Sequence, residues 1–467
     1  MNQQPFRTVF SIHLKRPQAV LPYLIGLIAT WFGFANPVWQ FPLLLLVYPG
    51  LLAYLARTSR SPKEAMKRGW LAGSLSYTAC LYWVVVPVHY FGPLPWILAL
   101  PCPVLLGAYL GLHPAVFVVG LYLAGRRFSW FWLGLFGGLS WIILEWVRSQ
   151  FLSGFPWLTL AQGFAPWPVA IQTGKFIGAL GLSGLITLPG IWCVAGFKKK
   201  SARFATLMLI TAVLGLGLWE LNKPVSQSGR PFQILIVQGN IEQNIKWSPE
   251  YQAKTVKTYL ALSQRGLQGF DPDLVIWPET AMPFYLQEKS ELKTMITRFC
   301  RENKVPLLTG APGYESLPGG GYRLYNRAYL FNRQGEVDGV YAKQHLVPFG
   351  EYVPLPDFIP FLDKLVPGIA DFSPGRKGKP LRTKKLALGI LICYEIIFDD
   401  LVAERVEEKS NVLVNLSNDA WFGRTSAPKQ HLHQAVLRAV EQGRPVLRAT
   451  NSGISAVITP RGNIRQS

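Results

Sequence analysis

The chain has 467 residues, half of them hydrophobic and 13% aromatic, with only 16% charged, against about 25% in soluble domains. That shortage of charge excludes a wholly soluble globular protein and points to a membrane. The net charge of +21 therefore has to be located along the chain before it is read as a nucleic-acid footprint.

Apolar segments recur near residues 19–34, 38–56, 70–88, 95–124, 129–147, 169–196 and 203–221, most of them close to or above the roughly 20 residues that cross the hydrocarbon as a helix. The fourth carries Pro101, Pro103 and Pro114, which predicts a kinked or partly re-entrant segment. Basic residues fill every second connection: Arg7, Lys15 and Arg16 before the first segment, then Arg57, Arg60, Lys63, Lys67 and Arg68, then Arg126 and Arg127, then Lys198, Lys199, Lys200 and Arg203. The alternate loops near 35–37, 89–94 and 149–168 hold no Lys or Arg. This is the positive-inside pattern. It predicts about seven transmembrane helices over residues 1–221, a cytoplasmic N-terminus and a far-side location for the residues beyond 221. Much of the positive charge thus belongs to topology, and no nucleic-acid partner is expected.

Within WIILEWVRSQFLSGFPW (141–157), Glu145 and Arg148 stand at i, i+3 and can pair on a helix. An ionisable pair there is either an anchor or part of a site. Gly154 to Trp157 predict a turn followed by an interfacial aromatic on the outer side.

A polar linker, NKPVSQSGR (222–230), opens a second region at 231–467. The runs FQILIVQG, DLVIWPE, VPLLTGA, RLYNRAYLFN, LALGILICYE, NVLVNLS, PVLRATN and GISAVITP predict strands. Residues 248–268, 290–303 and 425–443 have helical periodicity. Strands alternating with helices predict a buried sheet in an α/β domain, and no run here has the apolar length of a span.

Three strand ends in this region each carry a different ionisable group: Glu279 in WPE, Lys343 in YAKQHLVPFGEY with Glu351 beyond it, and Cys393 in GILICYEIIF. On a strand Cys393 and Glu395 would face the same way. Cys393 alone is either a nucleophile or a small buried hydrophobe. Taken together, a thiol, a carboxylate able to act as base and a cation able to stabilise an oxyanion suit acyl transfer through a thioester. The five cysteines, Cys80, Cys102, Cys193, Cys300 and Cys393, show neither metal-ligand spacing nor a disulfide framework. His431 and His433, at i, i+2, do not share a helix face, so no metal site is expected. The Gly-rich PGGGYR at 318–323 predicts a flexible turn.

The stretches WPE, YAKQHLVPFGEY, CYE and LSNDAWFG resemble the nitrilase superfamily. Together with the helical region, WIILEWVRSQFLSGFPW and NSGISAVITPRG, they resemble the apolipoprotein N-acyltransferase branch of it. The resemblance implies an αββα sandwich with Glu279 as general base, Lys343 as oxyanion stabiliser and Cys393 as nucleophile. It further implies that Glu351 positions the lysine, that Tyr394 and Glu395 flank the nucleophile, and that Trp247 sits on an active-site loop. The implied reaction moves an acyl chain from a phospholipid such as phosphatidylethanolamine to the cysteine amine of a diacylated lipoprotein, with no cofactor. The implied setting is the bacterial inner membrane, with the catalytic domain in the periplasm and a mouth at bilayer level near Trp157. The family's C-terminal membrane helix has no counterpart among these residues. The rival readings are a membrane-anchored carbon–nitrogen hydrolase and a non-catalytic membrane scaffold.

Overall fold

The computed structural model describes residues 20–92, 94–224, 231–243, 248–352 and 372–466. Trp247, the basic residues before residue 20 and linker residues 225–230 lie outside them.

Among the described residues, four helices are long and apolar enough to cross a membrane: Trp96–Ala124, Trp130–Ser153, Gly174–Ala195 and Lys200–Asn222. A bent pair, Pro62–Cys80 with Tyr82–Phe91, makes a fifth if counted as one span, and Leu21–Gly33 and Pro42–Thr58 are apolar but shorter. Lys63, Lys67 and Arg68, assigned above to a loop, lie instead in the first turns of Pro62–Cys80. Ser61 starts that helix early: its side chain accepts from the Glu64 amide, and Pro62 takes the first turn, where a missing N–H costs nothing. The sixth segment is also divided. Helix Pro168–Ile171 precedes Gly174–Ala195, which breaks at Gly178 (φ +71°).

Close backbone approach holds the bundle together. A Cβ on Gly190 would lie 2.5 Å from the Gly50 amide nitrogen, and one on Gly69 would lie 2.6 Å from the Pro114 carbonyl oxygen. Small residues let these helices pack backbone to backbone, which is how helices gain dispersion contact inside lipid.

The second region builds two sheets. The first contains β1 (Ile234–Ile236), β2 (Leu274–Ile276), β3 (Leu307–Ser316), β4 (Tyr322–Phe331) and β5 (Val337–Ala342) in that order. The second contains β6 (Leu381–Arg382), β7 (Ala387–Ile392), β8 (Val412–Ser417), β9 (Val446–Thr450), β10 (Ala456–Ile458) and β11 (Ile464–Gln466), in the order β11-β10-β9-β8-β7-β6. Their inner faces share one core, with Ile276, Leu308 and Leu330 packed against Ile390, Val414 and Leu447. Helices Pro249–Gly266 and Glu291–Asn303 cover the outer face of the first sheet through Tyr259, Ile296 and Phe299. Helices Asp399–Glu407 and Ala427–Gln442 cover the second. Four layers result, an αββα sandwich. The three predicted helices are present. The pattern missed Asp399–Glu407 and the short edge strands β6 and β11, whose two or three residues hold too little alternation to read.

Helix Ala427–Gln442 faces two ways, because its apolar residues belong to one cluster with the membrane bundle. Gln430 is the hub of that seam. Its Oε1 accepts from the indole N–H groups of Trp157 (2.8 Å) and Trp83 (3.0 Å), and its Nε2 donates to the carbonyls of Ala35 (3.0 Å) and Cys80 (3.2 Å). Gln434 adds bonds to the Pro156 carbonyl and to Gln162. The Glu441 carboxylate accepts from the Ala179 amide where Gly174–Ala195 breaks, a favourable place for an anion at a helix start.

Replacing Gln430 with Leu preserves volume but leaves two buried N–H donors and two carbonyls unsatisfied, at about 1–3 kcal/mol for each group stranded. Gln430→Leu is expected to lower the thermal midpoint in detergent by several degrees or more. An unchanged midpoint would show that the hub contributes no stability.

Candidate active site

β2, β5 and β7 deliver Glu279, Lys343 and Cys393 just beyond their last residues. The loop carrying Glu279 lies flat on β3. A Cβ at Gly310 would collide with the Thr280 nitrogen and come 2.7 Å from the Glu279 Cα, so only glycine allows this approach. The Pro278 carbonyl accepts from the Gly310 amide at 3.1 Å, fixing the loop.

Lys343 is 1% exposed, and its ammonium lies 2.8 Å from Glu351 Oε2 and 2.9 Å from Oε1. Glu351 is itself held by the Val347 amide at 2.9 Å. Asn326 on β4 bridges the two carboxylates, donating from Nδ2 to Glu279 Oε1 at 2.8 Å and to Glu351 Oε1 at 3.1 Å. Burial works against the lysine's charge. The carboxylates of Glu351 and then Glu279 outweigh it and hold its pKa above the ordinary value. The two carboxylates thus favour the charged form of Lys343.

Cys393 adopts a left-handed backbone (φ +51°) where β7 gives way to a short 3₁₀ turn, Cys393–Ile397. Such a conformation is uncommon outside glycine and recurs at functional sites. Burial and the nearby Glu279 charge push its thiol up to about 12, against the pull of Lys343. The charges of Glu279 and Lys343 both bear on the Cys393 thiol, in opposite directions, and the three groups form a set able to add sulfur to a carbonyl carbon.

The strand-based expectation for Glu395 is corrected. The strand stops at Ile392, so Cys393 and Glu395 do not share a strand face. Glu395 instead turns back as a buried acceptor: Oε1 takes Tyr341 Oη (2.8 Å), the Gln344 amide (2.6 Å) and the His345 amide (3.2 Å), while Oε2 takes the Ile392 amide (2.6 Å). Burial pushes its pKa up, and the Ile392 amide leads the groups that oppose this. Tyr394 donates to the Gly154 carbonyl at 3.1 Å, across the seam.

Trp157 is also corrected. It is 1% exposed, so it is packed inside the protein and is not an exposed interfacial aromatic. Its ring lies 5.5 Å from that of His431, centroid to centroid, and its N–H is used by Gln430. Glu145 and Arg148 are buried in the bundle 3.9 Å apart. Glu145 accepts from Trp141 and from the Leu160 amide, and Arg148 donates to Tyr77. The Glu145 carboxylate thus ties its helix to the backbone just after Trp157.

Two groups of residues at the site are not evident from the sequence. Asn326 has one signal there, an amide inside the apolar strand RLYNRAYLFN. Asp419, His431 and Arg448 form a buried cluster under Cys393, and the HLH spacing raises His431 only as a metal ligand. Burial lowers the pKa of His433 to about 3. Among the described residues no group of His, Cys, Asp or Glu could hold a metal.

Residues 28–192 match the family of the apolipoprotein N-acyltransferase N-terminal domain, and residues 234–466 match the carbon–nitrogen hydrolase family. An apolipoprotein N-acyltransferase of Geobacter metallireducens is 39% identical over 91% of this chain and 82% of its own length. That of Nitrosomonas europaea is 36% identical over 94% and 86%. Among solved structures, Saccharomyces cerevisiae Nit3 of the nitrilase superfamily aligns at 21% identity with a TM-score of 0.39, over 50% of this chain and 84% of that one. With relatives this similar along most of both chains, and a matching domain on each side of the linker, the chain belongs to the apolipoprotein N-acyltransferase family.

Proposed function

We propose that this enzyme moves a fatty acyl chain from a phospholipid, phosphatidylethanolamine being the natural donor class, to the α-amine of the lipid-modified N-terminal cysteine of a diacylated lipoprotein. The observation that carries the mechanism is the delivery of Glu279, Lys343 and Cys393 just beyond three strand ends, with Asn326 and Glu351 linking the Glu279 carboxylate to the Lys343 ammonium, in a domain joined to apolar helices. The fusion favours transfer between lipids over hydrolysis of a soluble amide.

In this reading Glu279 takes the Cys393 proton as sulfur attacks the donor's ester carbonyl. The oxyanion forms beside Lys343, which Glu351 and Asn326 keep in place. Collapse expels the glycerol oxygen, which regains the proton from Glu279, and lysophospholipid departs. The lipoprotein amine then attacks the thioester, passes a proton to Glu279 and leaves as the amide, while the sulfur recovers its proton. Every group is used twice and no cofactor is required. Glu395 ties the Lys343 loop to the nucleophile turn, and Tyr394 ties that turn to the membrane part. Trp247 is assigned to an active-site loop on resemblance alone.

We further propose seven crossings, formed by the four long helices, the bent pair and the two shorter apolar helices. The domains then divide at 1–221 and 231–467. The alternation of basic loops supports a cytoplasmic N-terminus and a periplasmic catalytic domain in the bacterial inner membrane.

Intact mass after incubation with phosphatidylethanolamine and no acceptor is expected to show one fatty-acyl increment, removed by hydroxylamine, and none in Cys393→Ala. An increment that persists in Cys393→Ala, or none in the unaltered protein, rejects the thioester.

A thiol whose pKa is raised to about 12 is protonated at neutral pH, and its thiolate fraction grows as pH rises. Alkylation of Cys393 by iodoacetamide, followed on its own peptide, is expected to keep climbing from pH 7 to about pH 10, whereas an ordinary thiol levels off above its pKa of about 8.5. A plateau below pH 9 would contradict the burial argument.

A further inference from the structure

The backbone of Cys393 sits in a conformation that costs energy for any residue with a side chain, so something must hold it. Its carbonyl accepts from two buried donors, His431 Nε2 at 3.1 Å and Asn415 Nδ2 at 3.2 Å. A carbonyl can only accept, so Nε2 carries the imidazole hydrogen. Burial, then the Arg448 charge, lowers the His431 pKa against the opposing pull of Asp419. Its Nδ1 lies 3.1 Å from Arg448 Nη2 and 3.2 Å from Asp419 Oδ1, so the far edge of the ring is braced between the guanidinium and the carboxylate. Asp419 also accepts from Arg448 Nη2 at 2.8 Å and from Ser417 Oγ at 3.0 Å. Arg448 also donates to Asn415 Oδ1, which turns the amide of that residue toward the Leu391 and Cys393 carbonyls. One buried guanidinium thus orients both donors to a single carbonyl, and the Trp157 ring packs on the imidazole from the membrane side.

We propose that His431 is a positioning residue for acyl transfer: its Nε2–H, fixed by Arg448 and Asp419, holds the Cys393 carbonyl so that the sulfur stays presented to Glu279 and Lys343. This rests on the reading of Cys393 as the acylated nucleophile. It also gives the membrane bundle, through Trp157, a mechanical hold on the nucleophile.

Two substitutions separate reach from polarity. In His431→Gln the amide nitrogen falls close to the position of Nε2 and keeps the bond to the carbonyl. In His431→Asn the polar atoms fall near Nδ1, keeping the Arg448 side while losing that reach. With full-length protein and phosphatidylethanolamine, His431→Asn is expected to form the acyl-thioester roughly tenfold more slowly or worse. The donor concentration at half-maximal rate should not change, and His431→Gln should stay within about threefold of the unaltered protein. If thermal unfolding shows that His431→Asn does not fold, His431→Phe, which fills the ring volume without a donor, takes its place. Equal rates in all variants, or equal losses in His431→Gln and the donor-less variant, overturn the positioning role while leaving the thioester standing. Absence of any acyl increment on the unaltered protein overturns both.

Discussion

The site depends first on one buried carboxylate that takes no part in the proposed chemistry. Glu395 accepts four hydrogen bonds, one from Tyr341 in β5, two from Gln344 and His345 just after it, and one from the last residue of β7. β5 belongs to the first sheet and β7 to the second, so this single side chain pins the two sheets to each other at the end where Lys343 and Cys393 emerge. Dispersion between the sheets sets their spacing but tolerates sliding. Four directional bonds to one anion do not. Removing the carboxylate would strand several donors in a dry interior, where each unsatisfied group costs about 1–3 kcal/mol.

Around that pin the charges are balanced for a specific outcome. Lys343 is fully buried, which alone would favour its neutral form. Glu351 and Glu279 reverse that, so a positive charge is available where an oxyanion would develop. Cys393 experiences the opposite bias, since its burial and the Glu279 charge keep the proton on sulfur. In the proposed mechanism, a resting thiol beside an ammonium and a carboxylate becomes a nucleophile only when the carboxylate takes its proton, which suits a site that must not leak acyl groups to water. Asn326 connects the two carboxylates, so Glu279 and the group that orients the Lys343 ammonium cannot move independently.

The seam with the membrane bundle extends the same arrangement into the lipid phase. Gln430, Gln434 and Glu441 on one helix meet backbone and indole groups from several membrane segments, while His431 on that helix reaches the Cys393 carbonyl. A surface with so many satisfied buried polar groups has one geometry. The membrane part is therefore joined to the chemistry through packed, directional contacts rather than through a flexible tether.

How much of this was legible without coordinates differs by scale. Apolar length, alternating basic loops and strand-like runs identified the two regions, because the bilayer's thickness and the pleat's period of two act on contiguous residues. WPE, YAKQH and CYE marked the strand ends that carry Glu279, Lys343 and Cys393, since each motif is local. The direction of Glu395 was not legible, because it depends on where β7 stops and on donors some fifty positions away. Trp157 looked interfacial, as tryptophan beside a span often is, until a helix nearly three hundred residues later covered it. Asn326, Asp419, His431 and Arg448 acquire meaning only from partners that are distant in the chain. The sequence by itself determined the segments and the chemistry-bearing ends. Tertiary structure alone decided which polar side chains meet, because a buried hydrogen bond is selected by what the fold places within three ångströms and not by what lies next to it along the chain.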